Sequence, residues 1–374
     1  MNFSDQEHFS PRRPTRPVKM GRLTIGGDAP ISVQSMTKTD TRDVEKTVAQ
    51  IQQLEAAGCE MVRLAVPDLA AAQALPEIRR RCPDSLLVAD IHFQYKFALL
   101  ALDAGFDKLR INPGNIGDKE KVRLVVRRAQ EQRVPVRIGV NAGSLERRLL
   151  EKYGYPTPEA MVESALYHIR ILEDLGLTDT VVSLKSSNVK LTVAAYRLLA
   201  KQVDYPFHLG ITEAGTQFSG TVKSCVGLGI LLAEGIGDTI RVSLATDPVE
   251  EVRVAYELLK ALELRSRGPV VIACPTCGRL EVDLFKIVGE IEKATAHITM
   301  PIRLAVMGCA VNGPGEAREA DLGVAAGRAS GMIYREGKAI RRVSEEEIVP
   351  ALLEEIERFV ADKTAGPNRA ARDR

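Results

Sequence analysis

Between residues 31 and 264, short β-branched runs alternate with amphipathic helical stretches, and this alternation leaves few folds open to the chain. ISVQSM (31–36), MVRLAV (61–66), LLVADIHF (86–93), KLRINPG (108–114), VPVRIGVNAG (134–143), TVVSLKSS (180–187), YPFHLGITEAG (205–215) and DTIRVSLATD (238–247) read as strands. After the first, Val44, Val48, Ile51 and Leu54 share one helical face and Gly58 follows as a stop. An eighth helix is expected from Pro248 to about Leu264. Strands separated by helices pair in parallel through right-handed crossovers. Eight such units in about 235 residues predict an α/β chain with a (β/α)8 TIM-like barrel. A doubly wound open sheet is the weaker alternative, because GGDAP is not a dinucleotide fingerprint.

Past ELRSRGP (263–269), which reads as a linker, the pattern changes. A strand at 270–273 meets a cysteine pair, a helix is expected from about Glu281 to Ala294, and RLAVMG (303–308) is a second strand. Short strands at 321–326, 331–335 and 338–342 precede a last helix from Ser344 to about Asp362. The expected organisation is a flexible basic lead-in over 1–17, a barrel over 18–264, a small α+β domain over 265–362, and a disordered tail over 363–374.

Charge and composition narrow the function. Lys plus Arg total 51 against 49 for Asp plus Glu, so no global field points to nucleic acid or an anionic membrane. With no Trp and 8 Tyr, little is available to stack on bases, which argues against a nucleic-acid-binding module. No apolar run reaches the roughly 18 residues of a membrane span, Glu234 interrupting the longest, and the N-terminus has no apolar signal core. Six cysteines without an export signal read as thiols or metal ligands, and the expected compartment is the cytoplasm.

Barrel chemistry sits at the C-terminal ends of the strands. Those positions hold Gln34 and Ser35, Arg63, Asp90 with His92, Arg110 with Asn112, Arg137 with Asn141, Lys185 with Ser186, His208 with Glu213, and Arg241 with Ser243. Arg63, Arg110, Arg137, Arg241 and Lys185 converging on one mouth suit a phosphate or diphosphate. The competing reading is an ion-pair network closed by Asp90 and Glu213, but two carboxylates do not neutralise five cations. Lys185 also fits the Schiff-base lysine of an aldolase-like barrel, although Ser183 and Ser186 beside it favour phosphate. Glu213, where a strand breaks into a glycine-containing loop, fits a general acid, or a partner for Arg241 or Lys185.

Cys274-Pro-Thr-Cys277, then Cys309 with Glu316 seven residues later, is the strongest chemical signal. Two sulfurs from one turn after a strand suit zinc or an iron–sulfur cluster, and a redox pair would leave Cys309 and the NGPGE loop unexplained. Zinc wants a fourth N or S ligand that no nearby motif supplies. Three thiolates with an oxygen ligand suit a four-iron cluster, Glu316 being the near candidate for the remaining iron and Cys225 its rival. Cys59 and Cys82 read as buried apolar thiols.

VQSMT (33–37), ADIHF (89–93), LRINPGN (109–115), HLGITEAGT (208–216), GDTIRVSL (237–244), CPTCGR (274–279) and MGCAVNGPGEA (307–317) resemble, in this order, the 4-hydroxy-3-methylbut-2-enyl diphosphate synthase family. The resemblance runs from about residue 15 to 360. It implies a [4Fe–4S] cluster on Cys274, Cys277, Cys309 and Glu316. It implies that 2-C-methyl-D-erythritol 2,4-cyclodiphosphate binds at the barrel mouth. Arg63, Arg110, Arg137, Lys185, Arg241 and Ser243 would hold the diphosphate, with Asp90, His92, Asn112, Asn141 and His208 completing the pocket. Two electrons, delivered singly, would open the ring and remove a hydroxyl as water, with Glu213 as proton donor. The resemblance also implies flavodoxin or ferredoxin as electron donor and a head-to-tail homodimer, each cluster over the partner's barrel.

Overall fold

The computed structural model describes residues 10–364. The chain divides into two compact units, meeting between Arg265 and Ser266. No helix among the described residues is long and apolar enough to cross a membrane.

The first unit begins with a hairpin, β1 (Val18–Met20) and β2 (Leu23–Ile25), closed at Gly21, whose φ of 54° suits a residue without Cβ. Eight parallel strands follow, each leading into at least one helix. They are β3 (Ser32–Met36) with α1 (Val44–Ala56), β4 (Met61–Ala65) with α2 (Leu69–Arg81), β5 (Leu87–Asp90) with α3 (Tyr95–Asp103), and β6 (Lys108–Ile111) with α4 (Lys119–Gln132). Next come β7 (Val136–Asn141) with α5 (Arg147–Tyr153) and α6 (Pro158–Asp174), then β8 (Thr180–Lys185) with α7 (Val189–Ala200). Last are β9 (His208–Leu209) with α8 (Gln217–Ala233) and β10 (Thr239–Ile240) with α9 (Pro248–Ala261). The strand order β8-β7-β6-β5-β4-β3-β10-β9 is closed by a parallel bridge between Val182 and Phe207, which completes the barrel.

Alternation along each strand sorts the side chains. Val62, Leu64, Leu87, Ala89, Leu109, Ile111, Val136, Ile138, Val182 and Leu184 point outward and join the helices in one core. The inward positions form an apolar layer at the bottom, where Met61, Val88 and Val181 pack with Val18, Met20, Leu23 and Ile25 of the hairpin. The hairpin is therefore a plug, and its two short strands escape a reading based on long alternating runs.

The expected flexible lead-in is corrected over residues 10–17. Arg12 pairs with the buried Asp238 at 2.9 Å, and Arg13 donates to the Val203 and Tyr205 carbonyls at 2.6 Å while lying 4.0 Å over the Phe207 ring. Arg16 pairs with Asp204 and stacks 4.1 Å over Tyr205. Arginines that look like a solvated basic run each have a partner on the barrel. Residues 1–9, and residues 365–374 of the expected tail, lie outside the described residues, whereas Lys363 and Thr364 finish the last helix.

The second unit has one mixed sheet, β11 (Pro269–Ala273), β12 (Ile302–Met307), β13 (Leu322–Gly327), β14 (Ser330–Arg335) and β15 (Lys338–Ser344), in that order. The first three are parallel and the last two antiparallel. Its helices are α10 (Leu284–Thr295), α11 (Gly313–Glu319) and α12 (Ile348–Thr364). One face of the sheet packs on α10 and α12 through Leu304, Val306, Val324, Ile287, Ile291, Leu352 and Ile356. The other packs on α11 through Ala305, Met307, Ala317 and Ala325.

Candidate active site

The upper interior of the barrel is lined with cations. Met36, Arg63, Asp90, Lys108, Arg110, Arg137, Ser183, Lys185, His208, Thr239 and Arg241 all share the inward parity of Met61, Val88 and Val181. Asp90 holds two of the arginines, with Arg110 Nη1 at 3.3 Å and Arg63 Nε at 3.8 Å, and His92 Nε2 lies 3.4 Å away. Burial alone would raise this carboxyl, but Arg63, His92 and Arg110 drive it well below the ordinary range. Arg63 also meets the Met36 sulfur at 2.9 Å, and burial lowers its pKa to about 10. Arg110 donates to the Gly139 carbonyl at 2.7 Å, and the Asn112 side-chain oxygen accepts from Gly139 N at 2.9 Å. A Cβ at Gly139 would fall on Arg110 Nε and lie 2.7 Å from Nη2, so only glycine leaves the guanidinium its place.

Arg241 is held from outside the barrel wall by Glu251 of α9, at 3.4 Å. Glu251 is buried and also accepts from Ser35 Oγ at 2.9 Å and Leu244 N at 3.1 Å, and pairs with Lys38 at 3.1 Å. Ser35, expected at the mouth, is thereby corrected: its parity turns it outward to α9, and Gln34 is the inward neighbour. Glu251 was not legible because its sequence context is an ordinary acidic first turn of a helix.

Among the described residues Arg137 and Lys185 have no carboxylate partner. Arg137 is 1% exposed and donates to Ser183 Oγ at 3.0 Å, while among the described residues its Nε and Nη2 find no acceptor. Burial, then Arg63 and Arg110, push its pKa well down, although a guanidinium keeps its charge. Lys185 is pushed well below the usual ammonium value by burial and then by Arg137, Arg63, Arg241 and Arg110. Gly210 gives it room, since a Cβ there would stand 2.7 Å from Nζ. His208 is fully buried, 3.4 Å from Thr239 Oγ1, and burial with Lys185 and Arg137 holds its imidazole neutral. Lys108 was missed by the sequence reading. It lies fully buried beneath Arg110, with the Met61 sulfur 3.1 Å from Nζ, and burial depresses its pKa strongly. The spacing of Lys108, Arg110 and Asn112 is the signal that would have found it.

At the rim, Asn141 and Ser243 are half-buried, and His92 is exposed over Arg110 at 3.0 Å. Glu213 is exposed on the loop after β9 with a φ of 51°, an unusual conformation for a residue with a side chain. Among the described residues it pairs with neither Arg241 nor Lys185, the first of which belongs to Glu251 instead.

The second unit gathers its donors at the C-terminal end of its parallel strands. Cys274 follows β11 and its N–H donates to the Val306 carbonyl of β12; Cys309 follows β12 by two residues; Glu316 is in the first turn of α11. Cys277 is exposed and Cys274 and Cys309 half-exposed, and Thr276 between the first two has a φ of 65°. The N–H groups of Val311 and Asn312, with Arg279 beside them, draw the Cys309 thiol below its ordinary value and favour thiolate. Gly278 and Gly315 border open space. Among the described residues no three of these side chains stand close enough for one ion. The donor chemistry, three thiols and a carboxylate beside unfilled space, fits a cluster larger than a single metal. Cys225 lies on α8 of the first unit, and Cys59 is buried with a thiol pushed up to about 12 by burial.

Comparison with known proteins bears on both units. Residues 15–256 match the GcpE TIM-barrel domain and residues 270–358 the GcpE protein C-terminal domain. Three relatives are each named 4-hydroxy-3-methylbut-2-en-1-yl diphosphate synthase (flavodoxin). That of Geobacillus kaustophilus (strain HTA426) is 60% identical over 351 residues, 94% of this chain and 94% of its own. That of Geobacter sulfurreducens (strain ATCC 51573 / DSM 12127 / PCA) is 60% identical over 349 residues, 93% of this chain and 99% of its own. That of Symbiobacterium thermophilum (strain DSM 24528 / JCM 14929 / IAM 14863 / T) is 59% identical over 351 residues, 94% of this chain and 95% of its own. With both family domains matched in order and relatives this similar across nearly the whole length, the chain belongs to the GcpE family.

Proposed function

We infer that the chain catalyses the reaction its relatives are named for, the reductive formation of 4-hydroxy-3-methylbut-2-en-1-yl diphosphate in isoprenoid biosynthesis, and that it is an iron–sulfur enzyme. The observation that carries the substrate assignment is the buried pair Arg137 and Lys185, without a carboxylate partner among the described residues, inside a barrel whose other arginines are tied to Asp90 and Glu251. An uncompensated buried charge is costly, so this interior fits a multivalent anion. The substrate we propose is 2-C-methyl-D-erythritol 2,4-cyclodiphosphate. Its diphosphate lies on Arg137 and Lys185, flanked by Arg63, Arg110 and Arg241, with Ser243 and Asn141 at the rim. Asp90 and Glu251 orient the arginines. His208, neutral, lines the pocket beneath.

Cys274, Cys277 and Cys309 would hold three irons of a [4Fe–4S] cluster and Glu316 the fourth. When bound there, such a cluster would supply the two electrons of the reduction. The departing hydroxyl leaves as water and needs a proton, for which Glu213 is the donor we assign: an exposed carboxyl reloads from solvent and sits on the loop over the mouth. Flavodoxin is the proposed reductant, in keeping with the relatives' name. Free thiols throughout the described chain agree with a cytoplasmic setting. We further propose that copies pair head to tail, each cluster serving the partner's barrel.

Anaerobic purification followed by iron, sulfide and zinc analysis tests the reading, together with turnover of the cyclodiphosphate by reduced flavodoxin. About four iron and four sulfide per chain with turnover is expected. One zinc without sulfide after reconstitution, and no turnover, overturns it. The depressed, unpaired Lys185 would then favour a Schiff-base lyase, trapped by borohydride with a phosphorylated carbonyl compound.

A further inference from the structure

The buried stripe of helix α6 is apolar at Met161, Ala165, Ile169 and Leu172, but two polar residues one turn apart, Ser164 and His168, interrupt it. His168 is 1% exposed, and the reaction proposed above gives it no part. A buried imidazole needs a partner for each ring nitrogen, and here the two partners come from different loops at the barrel mouth. Nδ1 stands 3.2 Å from Gly114 N, in the turn Pro113–Asn115 that follows β6. Nε2 stands 3.0 Å from Oε1 of Glu146, which follows β7 and caps the start of α5, and Ser164 Oγ donates to the same oxygen at 3.0 Å.

These contacts fix how the imidazole is used. The Gly114 N–H can only donate, so Nδ1 must offer its lone pair, and the ring proton sits on Nε2 and is donated to Glu146. Burial would raise the Glu146 carboxyl, but the hydrogen bonds from His168 and Ser164 draw its pKa down to about 2, so an ionised acceptor faces Nε2. Gly114 has a negative φ and is glycine for closeness: a Cβ there would stand 3.0 Å from His168 Cε1 and 3.1 Å from Tyr167 Cε1.

What the imidazole holds is Asn112. The Pro113–Asn115 turn starts there, the Asn112 carbonyl accepting from Asn115 N at 2.9 Å, while its side-chain Oδ1 accepts from Gly139 N of β7 at 2.9 Å. With Oδ1 so occupied, the Nδ2 amide is the donor left for a substrate oxygen. Asn112 is therefore held twice, its side chain by the sheet and the chain after it by His168. The loop that ends at Glu146 starts at Asn141, the other amide of the mouth. The diphosphate-binding cations stand in or beside the strands and are held by Asp90, Ser183 and Glu251. Anion binding and the placing of Asn112 thus have separate supports.

We propose that His168 is a positioning residue of the barrel mouth: oriented by Glu146, it holds the Gly114 turn through Nδ1 and so sets Asn112 against the part of the substrate that is not diphosphate. The proposal rests on the barrel mouth being the substrate site, as inferred above. The test uses the cluster-loaded full chain. Nitrogen-15 NMR of histidine-labelled wild type should show the His168 proton on Nε2, and a proton on Nδ1 overturns the proposal. Amide hydrogen exchange around Gly114 and turnover are then compared in His168→Asn, which places an oxygen where Nδ1 stands, and His168→Gln, which reaches Glu146 but offers no acceptor at the Nδ1 position. His168→Gln should exchange the Gly114 amide about 10-fold faster. It should lower kcat by about 100-fold, the scale of a small misplacement at a reacting centre, while pyrophosphate affinity and iron content stay unchanged. His168→Asn should keep the slow exchange and most of the turnover. Equal turnover in the two variants overturns the proposal, as does slow exchange at Gly114 in His168→Gln. So does a His168→Gln chain that loses pyrophosphate affinity and thermal stability in step with turnover, which is the mark of a purely structural residue. A wild type inactive on the cyclodiphosphate overturns the assigned function and this role with it, whereas an active wild type with an equally active His168→Gln overturns this role alone.

Discussion

Gly139→Ala isolates the placement of one guanidinium. The glycine has an ordinary negative φ, so alanine imposes no backbone strain, and the new methyl acts only on what stands in its way. That is Arg110, with Nη2 at 2.7 Å and Cζ at 2.8 Å from the added carbon. Arg110 is 4% exposed and has little space to retreat into. Displacing it breaks its 2.7 Å bond to the Gly139 carbonyl and its 3.3 Å pairing with Asp90, and withdraws one cation from the anion pocket. A hydrogen bond to a charged group contributes about 1.5–3 kcal/mol, so diphosphate binding should weaken by roughly 10- to 150-fold. Isothermal titration with the cyclodiphosphate, or with pyrophosphate as a simpler anion, measures the loss. Arg110→Met should lose a similar amount, and adding Gly139→Ala to it should change little further, within about 0.5 kcal/mol, because the clash has lost its target. Additive losses in the double variant, or unaltered affinity in the single one, would refute the reasoning.

Arg137→Met should stabilise the ligand-free protein by about 1–3 kcal/mol in denaturant unfolding, by removing an uncompensated buried charge, and abolish the thermal protection given by pyrophosphate. Glu251→Gln should cost about 3 kcal/mol in the same assay, since it frees Arg241, Lys38 and Ser35 from their shared carboxylate. His208 is held neutral in the fold, so the unfolded chain binds the extra proton and stability falls as pH drops below about 6.5. His208→Gln should flatten the dependence of unfolding free energy on pH between 7.5 and 5.5. Cys309→Ala should lose iron and sulfide while far-ultraviolet circular dichroism is retained, which elemental analysis and a spectrum check.

What the sequence discloses and what it hides follow from the same periodicities. The barrel is legible because its strands carry runs such as VRIGV and TVVSL that a helix would not favour, and because an amphipathic helix separates each pair. Arg63, Arg110, Arg137, Lys185 and Arg241 are legible as a set because each is a cation within or just after an otherwise apolar strand, although Arg137 stands second in β7 and not at its end. Ser35 was misplaced by ignoring parity, which sends Gln34 and Ser35 to opposite faces. The hairpin Val18–Ile25 hides because three-residue strands leave no period to read. Arg12, Arg13 and Arg16 look solvated until the carbonyls and carboxylates of a distant segment are brought to them. Helix α11 hides because NGPGEA is rich in residues that usually break helices, though proline is well placed in a first turn.

A barrel interior is ordinarily packed with branched apolar side chains. Here that packing is kept only at the bottom, where the hairpin supplies Val18, Met20 and Ile25 and closes the barrel end opposite the mouth. Above this layer the chain tolerates buried cations, and the way they are neutralised is informative. Asp90 serves Arg63 and Arg110, and Glu251 serves Arg241, so those arginines are fixed in direction before any anion arrives. Arg137 and Lys185, on the adjacent strands β7 and β8, have no carboxylate partner among the described residues. An anion entering the mouth therefore gains most beside these two strands, where desolvated charge is uncompensated, and finds the remaining guanidinium groups already aimed. The carboxylates of this site neutralise three of the six interior cations; with Lys108 beneath Arg110 at the deepest level, the proposed diphosphate would gain most from Arg137 and Lys185.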